Sequence, residues 1–527
     1  MPALPPHLIP PETPAGEDAV ARPSRSWWST VGPWYLCWFA VGFGLVLRLA
    51  RYLANPSVWH DEAALIVNVL QRNFQQLLGN LSFSEGAPPG FLWLERALAI
   101  TLGDSTYLLR LVPMLAGCLS LLLFAWLAWR LLPRSASPWA VLIFACSDRL
   151  LWHAAEAKPY ALDVFLAVGV LALFVILQHR SLVFQLILFT LLSPLLIWLS
   201  YPGSFLCGAL LIALLPAVWQ RGKGWHLGLY GVWAAVVGVS FLALLLGPIQ
   251  AQRRPETVAH FTGLFPDYGQ PWGIPLWLVQ QTLGVFHYAC NPNGGWLAFL
   301  AIPGVLYFWR EQDRRLLILL VLPLGLALVA SFLHCYPYGR VRLMAYTAPA
   351  LILLLAAGIP ATLRCLVSLS DRESFPFRFR LRMFRLVSTA GLLVLLALPL
   401  CNTLYRVVVP WQRADAAGAV AYVQAHSRPE DAVTFNHWEY RYYFRNEPGS
   451  IKPIEEGGLL FPQRLWVVLT TATMAERQEL VGEITRHRPA LLRQDFAHTT
   501  VLLLQPMPEY QIALDAGLGV ARRNEIP

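Results

Sequence analysis

The chain has 527 residues, 56% of them hydrophobic and only 13% charged, with a mean hydropathy of +0.50. A soluble domain carries roughly 25% charged residues, so this composition excludes a soluble globular enzyme, a disordered chain and a nucleic-acid binder. The formal charge of +9 does not restore nucleic acid as a partner. The basic residues lie mainly in short segments between long apolar runs, the pattern of a polytopic α-helical membrane protein.

The N-terminal segment, 1–30, is rich in proline and polar groups and is expected to be a disordered cytoplasmic lead. The first apolar run starts late and is long enough to span, unlike a cleavable signal. A helix needs about 20 apolar residues to cross the hydrocarbon. That length predicts 11 spans, near 33–53, 108–132, 138–150, 160–178, 182–200, 203–219, 226–248, 296–310, 315–333, 343–363 and 386–408. Segment 273–289 is apolar but broken by Pro275 and polar at Gln280 and Gln281, and is read as not crossing. Arginine placement then puts the N-terminus inside, with Arg130, Arg134, Arg180, Arg221 and Arg310 in inner loops and an arginine-rich inner loop at 364–385. The eight cysteines sit mostly inside apolar runs without a CxxC pair and read as small buried hydrophobes, a Cys290–Cys335 disulfide being the alternative.

The first outer loop, 54–107, is far longer than a connector and carries two stretches of amphipathic helical spacing, LIVNVLQRNFQQLL and FLWLERALAITL. It opens with Asp61 and Glu62 just after the first span. Acidic residues at that depth are costly and tend to be functional; the bland alternative is that Asp61 caps a helix starting at Glu62. Glu85 precedes Pro88-Pro89, a turn that re-aims the chain, and is a second acid able to face Asp61. The next outer loop, 147–160, is dense in ionisable groups, with Arg149, Glu156, Lys158 and Tyr160, which either pair with one another or face the site. Arg340 and Arg342 lie on the outer face, against the positive-inside bias. Phosphate binding is one reason for them, since guanidinium matches phosphate in a bidentate way; lipid headgroups are the other. From about 409 the character changes. Helical spacing at 412–427 and about 473–487, with short buried strands at 432–436, 465–470 and 500–505, predicts a small extracytoplasmic α/β domain.

Four stretches carry a family resemblance: Asp61-Glu62 opening the outer loop, Ala87-Pro88-Pro89-Gly90-Phe91, Glu156-Ala157-Lys158-Pro159-Tyr160-Ala161-Leu162, and Tyr336-Pro337-Tyr338-Gly339-Arg340-Val341-Arg342. In this order and on one face, the chain resembles the GT-C superfamily of membrane glycosyltransferases. In particular it resembles the branch related to protein O-mannosyltransferases and lipid A aminoarabinose transferases, the bacterial family 39-like proteins. The resemblance implies a transmembrane catalytic module at 31–250, a variable transmembrane module at 251–408 and an outer domain at 409–527. It also implies a polyprenyl-phosphate sugar donor and an inverting transfer at the outer side of the inner membrane. The aminoarabinose transferases carry a lysine just before the proline pair, where Ala87 stands here. Phosphate contact would then fall to Arg340, Arg342 and Lys158.

The chemistry needs a base for an acceptor hydroxyl and positive charge for the departing phosphate. Asp61 is expected to be the base, with Glu62 or Glu85 orienting it or the acceptor. Arg340 and Arg342 would hold the phosphate, Glu156 would orient Lys158 or a sugar hydroxyl, and Tyr160 would line the pocket. A divalent metal ion beside Asp61 and Glu62, with His60 as a ligand, is an open alternative, although no metal-site spacing occurs in the sequence. Donor sugar and acceptor (protein, lipid or glycan) are not legible. The competing function is a transporter or flippase of lipid-linked sugars, which should show repeated halves and broken mid-membrane helices.

Overall fold

The computed structural model describes residues 27–220, 224–255, 259, 261–368, 377–411, 413–447 and 449–507. The expected lead lies outside these residues except for its last four, as do 369–376 of the arginine-rich loop. Among the described residues, nine helices are long and apolar enough to cross a membrane: Gly32–Ala54, Leu111–Leu131, Tyr160–Leu177, Leu182–Leu199, Gly203–Gln220, Gly224–Gln252, Arg314–Phe332, Arg342–Leu366 and Arg385–Val408. This is a multi-pass membrane protein.

The other two expected spans fold as shorter pieces. The run at 138–150 forms a helix of 10 residues, Ser137–Cys146, which stops because Ser147 turns extended and donates its hydroxyl to Ala289 O at 3.0 Å. The orphan carbonyls at that helix end are taken up by Arg48 of the first span, which donates to Phe144 O and Ala145 O. The run at 296–310 is helical throughout but in pieces: Gly294–Leu297, a 3-10 turn at Ala298–Leu300 and a helix of 11 residues, Ala301–Glu311. That helix packs hard against the one at Ala348–Ser368. A Cβ on Gly304 would fall on Leu354 O, and a Cβ on Gly358 on Leu300 O, so only glycine permits the approach. Segment 273–289 forms the helix Ile274–Ala289 of 16 residues. Its Thr282 is bonded to Tyr338 and its Tyr288 to His153. All eight cysteines are free.

The C-terminal domain is a five-stranded sheet: β1 (Ala432–Phe435), β2 (Ile451–Pro453), β3 (Leu465–Thr470), β4 (Ala490–Phe496) and β5 (Thr499–Leu504), in the order β2-β1-β3-β5-β4. β1 pairs parallel with β2 and β3, while β5 is antiparallel to β3 and β4. The helix Ala416–His426 packs on one face through Ala419, Val420 and Val423, against Trp466, Val468 and Val501. On the other, Val481 and Ile484 of Met474–His487 meet Val467 and Leu502.

Candidate active site

The acidic loop begins at a helix, His60–Gln71, whose first turn holds Asp61 and Glu62. Carboxylates are favourable there, and the alternative of Asp61 as helix cap does not hold: the helix starts at His60, with Trp59 at the cap position and no side-chain cap bond. Consecutive helical residues point about 100° apart, and this divides the two acids. Asp61 faces the segment 334–342. Glu62 faces the start of the second span.

Asp61 is gripped by two cations. Arg342 donates Nη1 to Oδ2 at 2.6 Å and Nη2 to Oδ1 at 2.7 Å. Lys158 Nζ lies 3.3 Å from Oδ2 and donates to Glu85 Oε2 at 2.5 Å. Burial pushes the Asp61 carboxyl up, but Lys158 and Arg342 outweigh it and hold it below the usual carboxylate range. Burial, reinforced by the charge of Asp61, leaves Glu85 above its usual value in spite of Lys158. Lys158 is fully buried, a cost that Asp61 and Glu85 overcome, so that its ammonium form is favoured. Glu85 reaches it from a loop whose far end is fixed by Gln252 and Tyr201: the Ala87 amide donates to Gln252 Oε1 at 3.1 Å, and the Tyr201 hydroxyl donates to Ala87 O at 2.9 Å. Pro89 then starts the helix Pro89–Leu102, a position that suits proline because its missing N–H would be unpaired anyway.

Glu62 is fully buried and bidentate to Arg110, at 2.7 Å from Nε and 2.6 Å from Nη2. Its Oε1 also accepts the Ala157 amide at 2.8 Å, and Arg413 Nη1 lies 3.6 Å from Oε2. Its oxygens are therefore committed to tying the acidic loop to the turn that carries Lys158. Glu156 accepts from Trp59 Nε1 at 3.2 Å and sits 3.2 Å from His153 Nδ1. Burial would raise Glu156, but its bond to His153 keeps it ionised, and burial lowers His153 toward the neutral imidazole. A carboxylate only accepts, so His153 carries its proton on Nδ1, and Nε2 accepts from the Tyr288 hydroxyl at 2.5 Å. The Tyr160 ring lies 5.6 Å from the Arg342 guanidinium carbon and packs on His153.

The fold thus brings Asp61, Glu85, Lys158, Arg342 and Tyr160 together, with Glu156 beside them. Arg340 is exposed, with its backbone against Gly284, and makes no ion pair with these carboxylates among the described residues. Arg110, His153, Tyr288 and Arg413 were not singled out by the sequence reading. Arg110 had a signal, an arginine at the outer edge of an apolar run, but it was absorbed into the expected span 108–132. No group of three His, Cys, Asp or Glu side chains able to hold a metal ion occurs among the described residues; the opposed directions of Asp61 and Glu62 are the reason here.

The chain is thus a multi-pass helical bundle with an acidic first loop, a buried lysine and a guanidinium fork, joined to a small α/β domain. Among solved structures, ArnT from Cupriavidus metallidurans bound to undecaprenyl phosphate is similar over 90% of this chain and 98% of that one, at 14% identity and a TM-score of 0.51. The Archaeoglobus fulgidus oligosaccharyltransferase in its apo form aligns over 84% of this chain and 70% of that one, at 14% identity and a TM-score of 0.43. At 14% identity the likeness to ArnT is one of fold. No protein-family model and no curated protein matches the chain.

Proposed function

We propose that the chain is an inverting glycosyltransferase that moves a sugar from a polyprenyl-phosphate donor to an acceptor hydroxyl at the extracytoplasmic face of the inner membrane, with its N-terminus in the cytoplasm and its C-terminal domain outside. The observation that carries this reading is the shared grip of Arg342 and Lys158 on Asp61. A base and two cations suited to a phosphate stand in one cluster, at the end of the bundle where the first outer loop folds back. The undecaprenyl phosphate bound by the ArnT structure supports a polyprenyl phosphate as the donor's carrier.

In this reading the donor phosphate enters on the cations, and Arg342 trades the Asp61 carboxylate for phosphate oxygens of matching bidentate geometry. Asp61, freed from its partner, takes the proton of the acceptor hydroxyl as that oxygen attacks the anomeric carbon. The bond from that carbon to the phosphate oxygen breaks, and the electron pair leaves on the lipid phosphate, where Lys158 and Arg342 stabilise it. Glu85 keeps Lys158 in place. Glu62 holds the acidic loop through Arg110, and Glu156, fixed by His153, shapes the floor near Tyr160. Arg340 sits at the rim, placed to draw anionic headgroups and donor from the membrane surface. The test is purified protein supplied with a radiolabelled polyprenyl-phosphate sugar and a cell-envelope extract. Label transferred to an acceptor with release of lipid phosphate supports the reading. Unaltered donor carried across a vesicle bilayer would instead make the protein a flippase.

A further inference from the structure

The residues just before Asp61 are held mainly from outside the bundle. Ser57 donates its hydroxyl to Asp415 Oδ1 at 3.2 Å, and the Val58 amide donates to the Tyr443 hydroxyl at 2.8 Å. Trp59 lies under the Arg413 guanidinium, 5.8 Å from ring centroid to carbon. The backbone carbonyl of His60 accepts from Trp438 Nε1. Four successive residues are thus fastened to 413–443, the start of the C-terminal domain. The same Trp438 reaches the loop of the second acid, for its indole stacks on Phe83 with centroids 5.3 Å apart and planes at 25°. Phe83 and Ser84 both adopt left-handed backbone, with φ of 62° and 50°. Such conformations are disfavoured for residues other than glycine and persist where surrounding contacts impose them. Glu85 follows directly.

We infer that the C-terminal domain is a positioning clasp for the two acids, with Trp438 as its central residue: one indole fixes the carbonyl before Asp61 and the ring two positions before Glu85. The inference deepens the glycosyl-transfer reading and rests on it for its consequence in turnover. The cations lie outside the clasp, Lys158 on the turn at 154–159 and Arg342 on the span Arg342–Leu366. Loosening Trp438 therefore frees the backbone that carries the acids, while Arg342 and Lys158 stay on their own elements.

Hydrogen–deuterium exchange on the full-length protein in nanodiscs tests this directly. In Trp438→Ala, exchange across 57–62 should rise by about tenfold while 343–353 stays as in the wild type. Trp438→Phe, which keeps the stack on Phe83 and loses the bond to His60, should fall between. Undecaprenyl phosphate binding should not weaken, and in turnover the loss should fall on kcat rather than on the donor KM. Unchanged exchange across 57–62, an equal rise in both segments, or a loss confined to donor KM overturns the clasp. If Trp438→Ala does not fold, Tyr443→Phe decides: it removes only the hydroxyl that accepts from Val58, and unaltered exchange across 57–62 counts against the inference. A wild-type protein that fails to bind undecaprenyl phosphate sinks the glycosyl-transfer reading while leaving the exchange result to stand by itself.

Discussion

Arg342 closes its guanidinium on both oxygens of Asp61 across 281 positions of chain, at 2.6 and 2.7 Å. With Lys158 on one of the same oxygens, Asp61 has little basicity left for an acceptor hydroxyl. In the proposed transfer the base and the donor phosphate compete for the same cation, so donor binding and base release are one event, and the pair keeps the acid silent until a phosphate arrives.

This competition has a consequence opposite in sign for binding and for turnover. Asp61→Asn should bind undecaprenyl phosphate more tightly than the wild type, by about tenfold or some 1.4 kcal/mol, because Arg342 no longer has an anionic partner to give up. The same variant should transfer no sugar. Arg342→Ala should lose binding. Titration of undecaprenyl phosphate into nanodiscs reads the two affinities and a transfer assay the turnover; weaker binding by Asp61→Asn would contradict the competition.

The pH dependence follows from the depressed Asp61 carboxyl. Burial alone would raise it, but Lys158 and Arg342 hold it below its usual value of 3.8. Asp61 therefore stays ionised, and its grip on Arg342 stays intact, from neutral pH down to the ordinary carboxylate range. The affinity ratio of Asp61→Asn to wild type should be constant between about pH 5 and 8 and should collapse only as the pH falls through the depressed value. Taking the ratio cancels the titration of the lipid phosphate. Binding isotherms at several pH values measure it; a ratio that declines between about pH 7 and 6 would contradict it.

Glu62 and Arg110 form a buried pair with no water-facing surface to relax into. Loss of Arg110 leaves buried Glu62 with only Arg413, 3.6 Å away, and removing one partner of such a pair costs about 3–5 kcal/mol. Arg110→Met should destabilise the protein by about that amount, and adding Glu62→Leu should restore most of the loss. Unfolding midpoints in detergent read the difference.

Arg340, two positions from Arg342 but exposed, should behave as a surface charge. Arg340→Ala should weaken capture of undecaprenyl phosphate from anionic vesicles by about fivefold, near 1 kcal/mol, and the loss should disappear at about 1 M salt, where the Debye length shrinks to about 3 Å.

Much of this architecture was legible in the amino acids. The long apolar runs mark the spans, and β1, β3 and β5 declare themselves because every residue but Thr470 is buried. β4 escaped because its residues are largely exposed and include Arg493, Gln494 and Asp495, and β2 because three residues carry no periodicity. In the runs at 138–150 and 296–310 composition does not show the turn at Ser147 or the close glycine contacts of Gly304 and Gly358. In the site, the acids and the cations were each visible as charges in the wrong place for a membrane protein, but their pairing was not. Nothing in the spacing of Asp61 and Glu62 says that one turns to Arg342 and the other to Arg110; the helix start at His60 decides that. Tyr288 is hidden for a similar reason, since reading segment 273–289 as not crossing does not say that its helix end meets His153.

The most direct test of the central claim is a structure of the full-length protein in nanodiscs with undecaprenyl phosphate bound. The phosphate is expected within hydrogen-bond distance of both Arg342 and Lys158, with the Asp61 carboxylate parted from the guanidinium. A lipid phosphate seated elsewhere while Asp61 and Arg342 remain clasped would contradict it.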